Sequence, residues 1–166
     1  LRGLAELLAS DHPAPHAGVV MLLEHGVEVV SASPELFLRR DRNLLESSPI
    51  KGTGRTAAEL LDKDTAENIM IVDLVRNDIG RVAATGSVQV SSLLRHETHP
   101  GLVHLVSTVQ GELRPHVGWV QILNAAFPPG SITGAPKSSA LRLIDEIEMA
   151  PRDRSLRTAS GSPPRP

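Results

Sequence analysis

At 166 residues, 40% hydrophobic and 22% charged, the chain has the size and balance of one soluble globular domain or a piece of a larger one, with no apolar run long enough to cross a bilayer as a helix. A net charge of −2 gives no electrostatic pull toward nucleic acid or an anionic membrane, and with Phe37, Trp119 and Phe127 as the whole aromatic set a base-stacking platform is excluded. The absence of cysteine removes disulfides and thiolate metal sites, which makes a cytoplasmic location the default.

The opening LRGLAELLASDHPAP is too polar for a secretory segment and lacks a starting methionine, so the chain reads as beginning inside a protein. From Ala17 to Leu38, short apolar runs broken by turns predict a β-hairpin with its turn at Gly26, then a third strand. Residues 43–47 predict a further strand that delivers the chain to a turn at SPIKGTG. A helix follows, with Ala66, Ile69, Met70, Leu74 and Val75 at helical spacing and Gly80 as its end. GSVQVSSL and HPGLVHLVSTVQGEL read as strands, the second apolar on both faces and therefore buried between layers. GWVQILNAAF reads as a helix and PPGSITGAPK as a loop. A last helix runs from about Pro136 to Met149, with Thr133 or Gly134 near its N-cap and Leu141, Ile144 and Ile147 on its buried stripe. The Arg- and Pro-rich stretch 151–166 has almost nothing to bury and reads as a disordered tail.

Lysine is scarce, with only Lys51, Lys63 and Lys137 among the seventeen basic residues, and Lys51 stands between Pro-Ile and a Gly-Thr-Gly run that lets the backbone approach something closely. A solvated turn lysine is the ordinary reading. The chemical one is a desolvated amine that acts as a nucleophile. Glu35 is either a strand-edge carboxylate or a general acid brought beside Lys51 by antiparallel strands. Glu67 is either a solvated helix carboxylate or a magnesium ligand completed by companions and a substrate carboxylate. His104, within LVHLVST, is either a satisfied buried histidine or a substrate contact. GSITGAPK suits an anion at a helix N-terminus or a plain capped entry loop. The histidines of HETH, and the pair His12 and His16, have metal-like spacings but no recognisable third ligand.

The order and wording of SPELFL, PIKGT, KDTAENIMIVDLVRNDIGRV, GSVQV, VHLVSTVQGEL and FPPGSITGAPK…LIDEIE resemble the catalytic domain of the chorismate-utilising enzymes. That family includes the large subunits of aminodeoxychorismate synthase and anthranilate synthase, and the isochorismate and salicylate synthases. The resemblance runs from about Gly18 to Glu148. Lys51 is similar to the covalent nucleophile of the aminodeoxychorismate synthase branch, where anthranilate synthases usually carry alanine. It implies attack by Lys51 on C2 of chorismate, then addition at C4 of ammonia supplied by a glutamine amidotransferase partner. Glu35 matches the general acid, Glu67 a Mg²⁺ ligand, and His104, Thr133 and Gly134 substrate-pocket positions. Arg76, Asn77 and Asp78 match a family signature that supports the packing of the magnesium helix.

The fold that this resemblance implies is α+β, with antiparallel β-sheets in a sandwich flanked by helices, incomplete at both ends. Residues 1–150 are then a partial chorismate-binding catalytic domain and 151–166 a tail foreign to the family, as a shifted reading frame would produce. Thr65 stands where the family usually has arginine. The family's later strand, carboxylate-holding arginine, glycine-rich loop and second magnesium glutamate have no counterpart here. The chain by itself is therefore expected to be inactive. A non-catalytic remnant is the alternative from another class.

Overall fold

The computed structural model of the chain describes residues 2–11, 14–134 and 136–148. They fall into two compact units that divide after Leu36. Helices and antiparallel strands are present in both, as the α+β expectation requires.

The first unit holds helix α1 (Arg2–Asp11) and a hairpin of β1 (His16–Leu22) and β2 (Val27–Ser33). A single 3₁₀ turn over Leu23–His25 joins the strands and closes on Gly26, whose φ of 60° lies in the left-handed region. The turn predicted at Gly26 therefore forms there.

In the second unit, strand β7 (Leu102–Glu112) organises a five-stranded sheet. One edge of β7 pairs with β6 (Gln89–His99). The other pairs with β4 (Leu44–Ser48) at Leu44↔Glu112 and, further along, with β5 (Ile50–Gly54) at Ile50↔Val106. Strand β3 (Leu36–Asp41) lies outside β4. Burial along β7 alternates: Val103, Leu105, Ser107, Val109 and Gly111 are buried on one face, while on the other only Val106 is, so the strand expected between two layers is covered mainly on one.

Helix α2 (Asp62–Gly80) packs on this sheet. Its start is fixed by Asp64, whose carboxylate accepts the Leu61 N–H at 2.8 Å. Its buried face differs from the predicted one. Ile69 and Met70 are about half exposed, while Asn68, Ile71, Val72, Val75, Asp78 and Ile79 turn inward. The helix is rotated because Asn68 has polar partners beneath it. Its side-chain amide donates to the Leu105 carbonyl at 3.0 Å, and its Oδ1 accepts the Ser107 hydroxyl, which in turn accepts the Leu94 N–H. Close approach is possible at Gly111, where an added Cβ would stand 2.8 Å from Ile79 Cγ2.

Helix α3 (Trp119–Ala126) closes the core with Ile122 and Ala125. What the sequence predicts as a loop contains one helical turn, α4 (Gly130–Thr133), and the last helix, α5, spans Lys137–Ile147. The stripe predicted on α5 is not buried. Leu141 and Ile144 are partly covered and Ile147 is 75% exposed. The tail expected at 151–166 lies outside the described residues.

Candidate active site

SPIKGTG is not the turn that its glycines suggest. Ile50 pairs with Val106 and Thr53 with His104, so β5 spends one residue more than β7 between those two points. That is a β-bulge, and Lys51 and Gly52 form it. Gly52 has φ 90°, and a Cβ there would lie 2.8 Å from the Asp64 Cβ. Only glycine meets both demands, the left-handed backbone and the contact with the first turn of α2. What the backbone approaches closely is thus the α2 N-terminus. The bulge leaves Lys51 partly buried, with its Nζ donating to the Ser131 carbonyl of α4 at 3.2 Å.

Ser131 belongs to the segment that contains two further candidates. The Thr133 hydroxyl donates to the Pro129 carbonyl at 3.2 Å, and the Gly134 N–H donates to the Gly130 carbonyl at 2.9 Å. Gly134 has φ 84°, a conformation that ends α4 without a side-chain penalty.

Two residues past Lys51, the Thr53 hydroxyl is 2.8 Å from His104 Nδ1. His104 is only partly buried, and its partner is a hydroxyl rather than the backbone carbonyl that a core histidine would find. Burial, then the neighbouring His99 ring 5.3 Å away, hold its pKa below the ordinary 6.5, with Glu97 across the strand pair pulling upward. At neutral pH the ring is therefore an uncharged hydrogen-bonding group.

Glu67 lies on the exposed face of α2. Among the described residues no three His, Asp or Glu side chains are gathered as a metal cluster, so the HETH histidines make none. Glu35 sits in the first unit, in the bend between β2 and β3, where the Ser33 hydroxyl donates to its carbonyl at 2.9 Å and accepts from its N–H at 3.2 Å. The structure thus brings Lys51 to the segment of Thr133 and Gly134, and Thr53 to His104.

Sequence reasoning passed over one pair. Lys137 Nζ donates to Asp78 Oδ2 at 2.6 Å and to the Ala126 carbonyl at 3.1 Å, with both charged side chains mostly buried. Burial pushes the Asp78 carboxyl above its ordinary 3.8, against the hydrogen bond and charge of Lys137 and the charge of Arg81. The scarcity of lysine was the available signal. Two of the three lysines turn out to hold specific acceptors.

Comparison with known proteins matches residues 4–154 to a family model described as chorismate binding enzyme. The aminodeoxychorismate synthase component 1 of Escherichia coli K12 is 47% identical over 138 residues, which cover 76% of this chain and 30% of that protein. An anthranilate synthase component 1 of Haloarcula marismortui is 43% identical over 160 residues, 89% of this chain and 32% of that one. The crystal structure of anthranilate synthase component I from Streptococcus pneumoniae superposes with a TM-score of 0.72 at 33% identity, covering 87% of this chain and 33% of that chain. The chain thus spans about a third of the length of these relatives.

Proposed function

The chain belongs to the chorismate binding enzyme family, and from that premise we propose that it carries the nucleophile-bearing part of an aminodeoxychorismate synthase component 1. Such an enzyme converts chorismate and glutamine-derived ammonia to 4-amino-4-deoxychorismate for folate synthesis, with a glutamine amidotransferase subunit as the ammonia source. The observation that carries the reading is the Lys51 amine, partly buried on a β-bulge and set against the segment of Ser131, Thr133 and Gly134. Relatives named for both amine-transferring branches match the chain. The lysine favours the aminodeoxychorismate branch, because alanine is usual at this place in anthranilate synthases.

In the proposed reaction Nζ of Lys51 attacks C2 of chorismate. Both ring double bonds shift, the C4–O bond breaks, and a general acid, the role that the family resemblance gives to Glu35, protonates the departing hydroxyl, which leaves as water. Ammonia then adds at C4 and the C2–N bond breaks, returning the lysine. One difficult substitution becomes two easier ones. Neutral His104, oriented by Thr53, and the Thr133 and Gly134 turn would contact the substrate. Glu67 offers Mg²⁺ an exposed hard oxygen, and the ion when bound would neutralise the ring carboxylate.

The test is an assay with chorismate, Mg²⁺ and ammonium salt, run on the 166-residue chain alone and on the chain extended with the C-terminal part of the E. coli relative. Product is followed by chromatography, and any adduct by intact mass. The expected result is 4-amino-4-deoxychorismate from the extended chain, abolished in Lys51→Ala, with an adduct of chorismate less water mapped to Lys51. Anthranilate as the product, or full activity in Lys51→Ala, would overturn the reading.

A further inference from the structure

We propose that Asp78 and Lys137 form a positioning clamp that holds segment 127–134 in place and keeps the Ser131 carbonyl against the Lys51 amine. The proposal rests on Lys51 as the reacting group. Lys137 stands at the start of α5 and Ala126 at the end of α3, so the Nζ bond to the Ala126 carbonyl ties together the two ends of the segment. The bond to Asp78 fastens that closed loop to α2. One turn earlier on α2 stands Leu74, the next residue on the same face. Gly130 packs on it so tightly that a Cβ would lie 3.1 Å from Leu74 Cδ1. The segment is thus held at Leu74, at Asp78 and at its own ends, and from it the Ser131 carbonyl reaches Lys51.

A buried ion pair is a poor source of net stability, because removing two charges from water offsets most of their attraction. What the ammonium supplies is direction. One ammonium with three donors satisfies a carboxylate and a carbonyl on different helices, which no apolar side chain of similar volume can do. Neither residue needs to touch substrate. Their effect is to fix where the Lys51 amine and the Thr133–Gly134 turn meet.

The experiment uses the whole chain and needs no chorismate. Lys51, Lys63 and Lys137 are acylated with an amine-reactive reagent and the modified peptides quantified, with exposed Lys63 as internal reference. Amide exchange is read in parallel at Ile132, Thr133 and Gly134, and at Val106 and Val109 of β7. In Asp78→Asn and Lys137→Met the Lys51:Lys63 acylation ratio should rise about fivefold, and exchange in the segment about tenfold, while β7 is unchanged. Lys137→Arg, which keeps a charge and several donors, should restore both toward the parent. The clamp is overturned if ratio and segment exchange stay at parent values, if β7 exchange rises in the same proportion, or if Lys137→Arg behaves as Lys137→Met. A clamp that fails while Lys51→Ala still abolishes turnover leaves the functional reading intact. A clamp that holds while Lys51→Ala retains full turnover removes the reading and keeps the loop closure.

Discussion

Helices α2 and α5 invert what their sequences promise. Helix α5 has the cleaner division into an apolar and a polar face, yet none of its described side chains is buried, and Leu143 and Ile147 are 51% and 75% exposed. Helix α2 mixes Asn68 and Asp78 into its inward stripe, yet it forms the centre of the core with Ile71, Val72, Val75 and Ile79. The difference lies in what each faces. Under α2 runs β7, with Gly111 removing side-chain bulk beneath Ile79 and with a carbonyl acceptor and a hydroxyl donor meeting Asn68. Helix α5 is fastened through its first residue, Lys137, while among the described residues its stripe is at most partly covered. Amphipathicity states that a helix can bury a face; the opposing surface decides whether it does.

The sharpest break of this contrast is a matched pair of truncations. Ile79→Ala should cost about 3 kcal/mol, because the side chain is 1% exposed and its removal leaves a cavity. Ile147→Ala should stay within about 0.5 kcal/mol, as an exposed position does. Denaturant midpoints of the two variants check both, and equal losses would mean that α5 has a buried partner in solution. Asn68→Ala comes next. It leaves the Leu105 carbonyl and the Ser107 hydroxyl without their buried partner, at a cost of about 2 kcal/mol in the same titration. A neutral outcome would show that the rotation of α2 owes nothing to Asn68.

The smallest effect isolates the Lys137–Asp78 bond between the two helices. Because burial raises the Asp78 pKa above 3.8, the folded chain holds that proton more tightly than the unfolded one. Its contribution is then fully present below about pH 3.8 and is lost as pH rises through the folded value. Asp78→Asn should remove that falling component from the pH dependence of unfolding. An unchanged slope would mean that Lys137 cancels the burial effect.

The hairpin at Gly26, the strand β7 and helix α3 were legible, because alternation, apolar runs and helical spacing are local signals, whereas the second covered face expected of β7 did not form. The resemblance that points to Lys51 was legible from motif order, and the chain's membership in the family follows from its match over residues 4–154. Three features were not legible. SPIKGTG reads as a turn by composition, but pairing with β7 makes it a bulged strand, and ladder pairing between distant segments leaves no local mark. The inward face of α2 was misplaced because an inward Asn counts as polar in any periodicity. Lys137 and Asp78 are 59 residues apart, and nothing in either neighbourhood names the other.

The sequence by itself determined which segments could be strands and helices, where glycine had to stand, and which lysine resembled a nucleophile. Those properties reside in single residues and short spacings, so they survive without the fold. Only the tertiary structure decided which apolar faces were covered, that Gly52 meets Asp64, and that Lys51 faces the Ser131 carbonyl. Burial and hydrogen bonding are properties of pairs of surfaces, and the chain must fold before either surface has a partner.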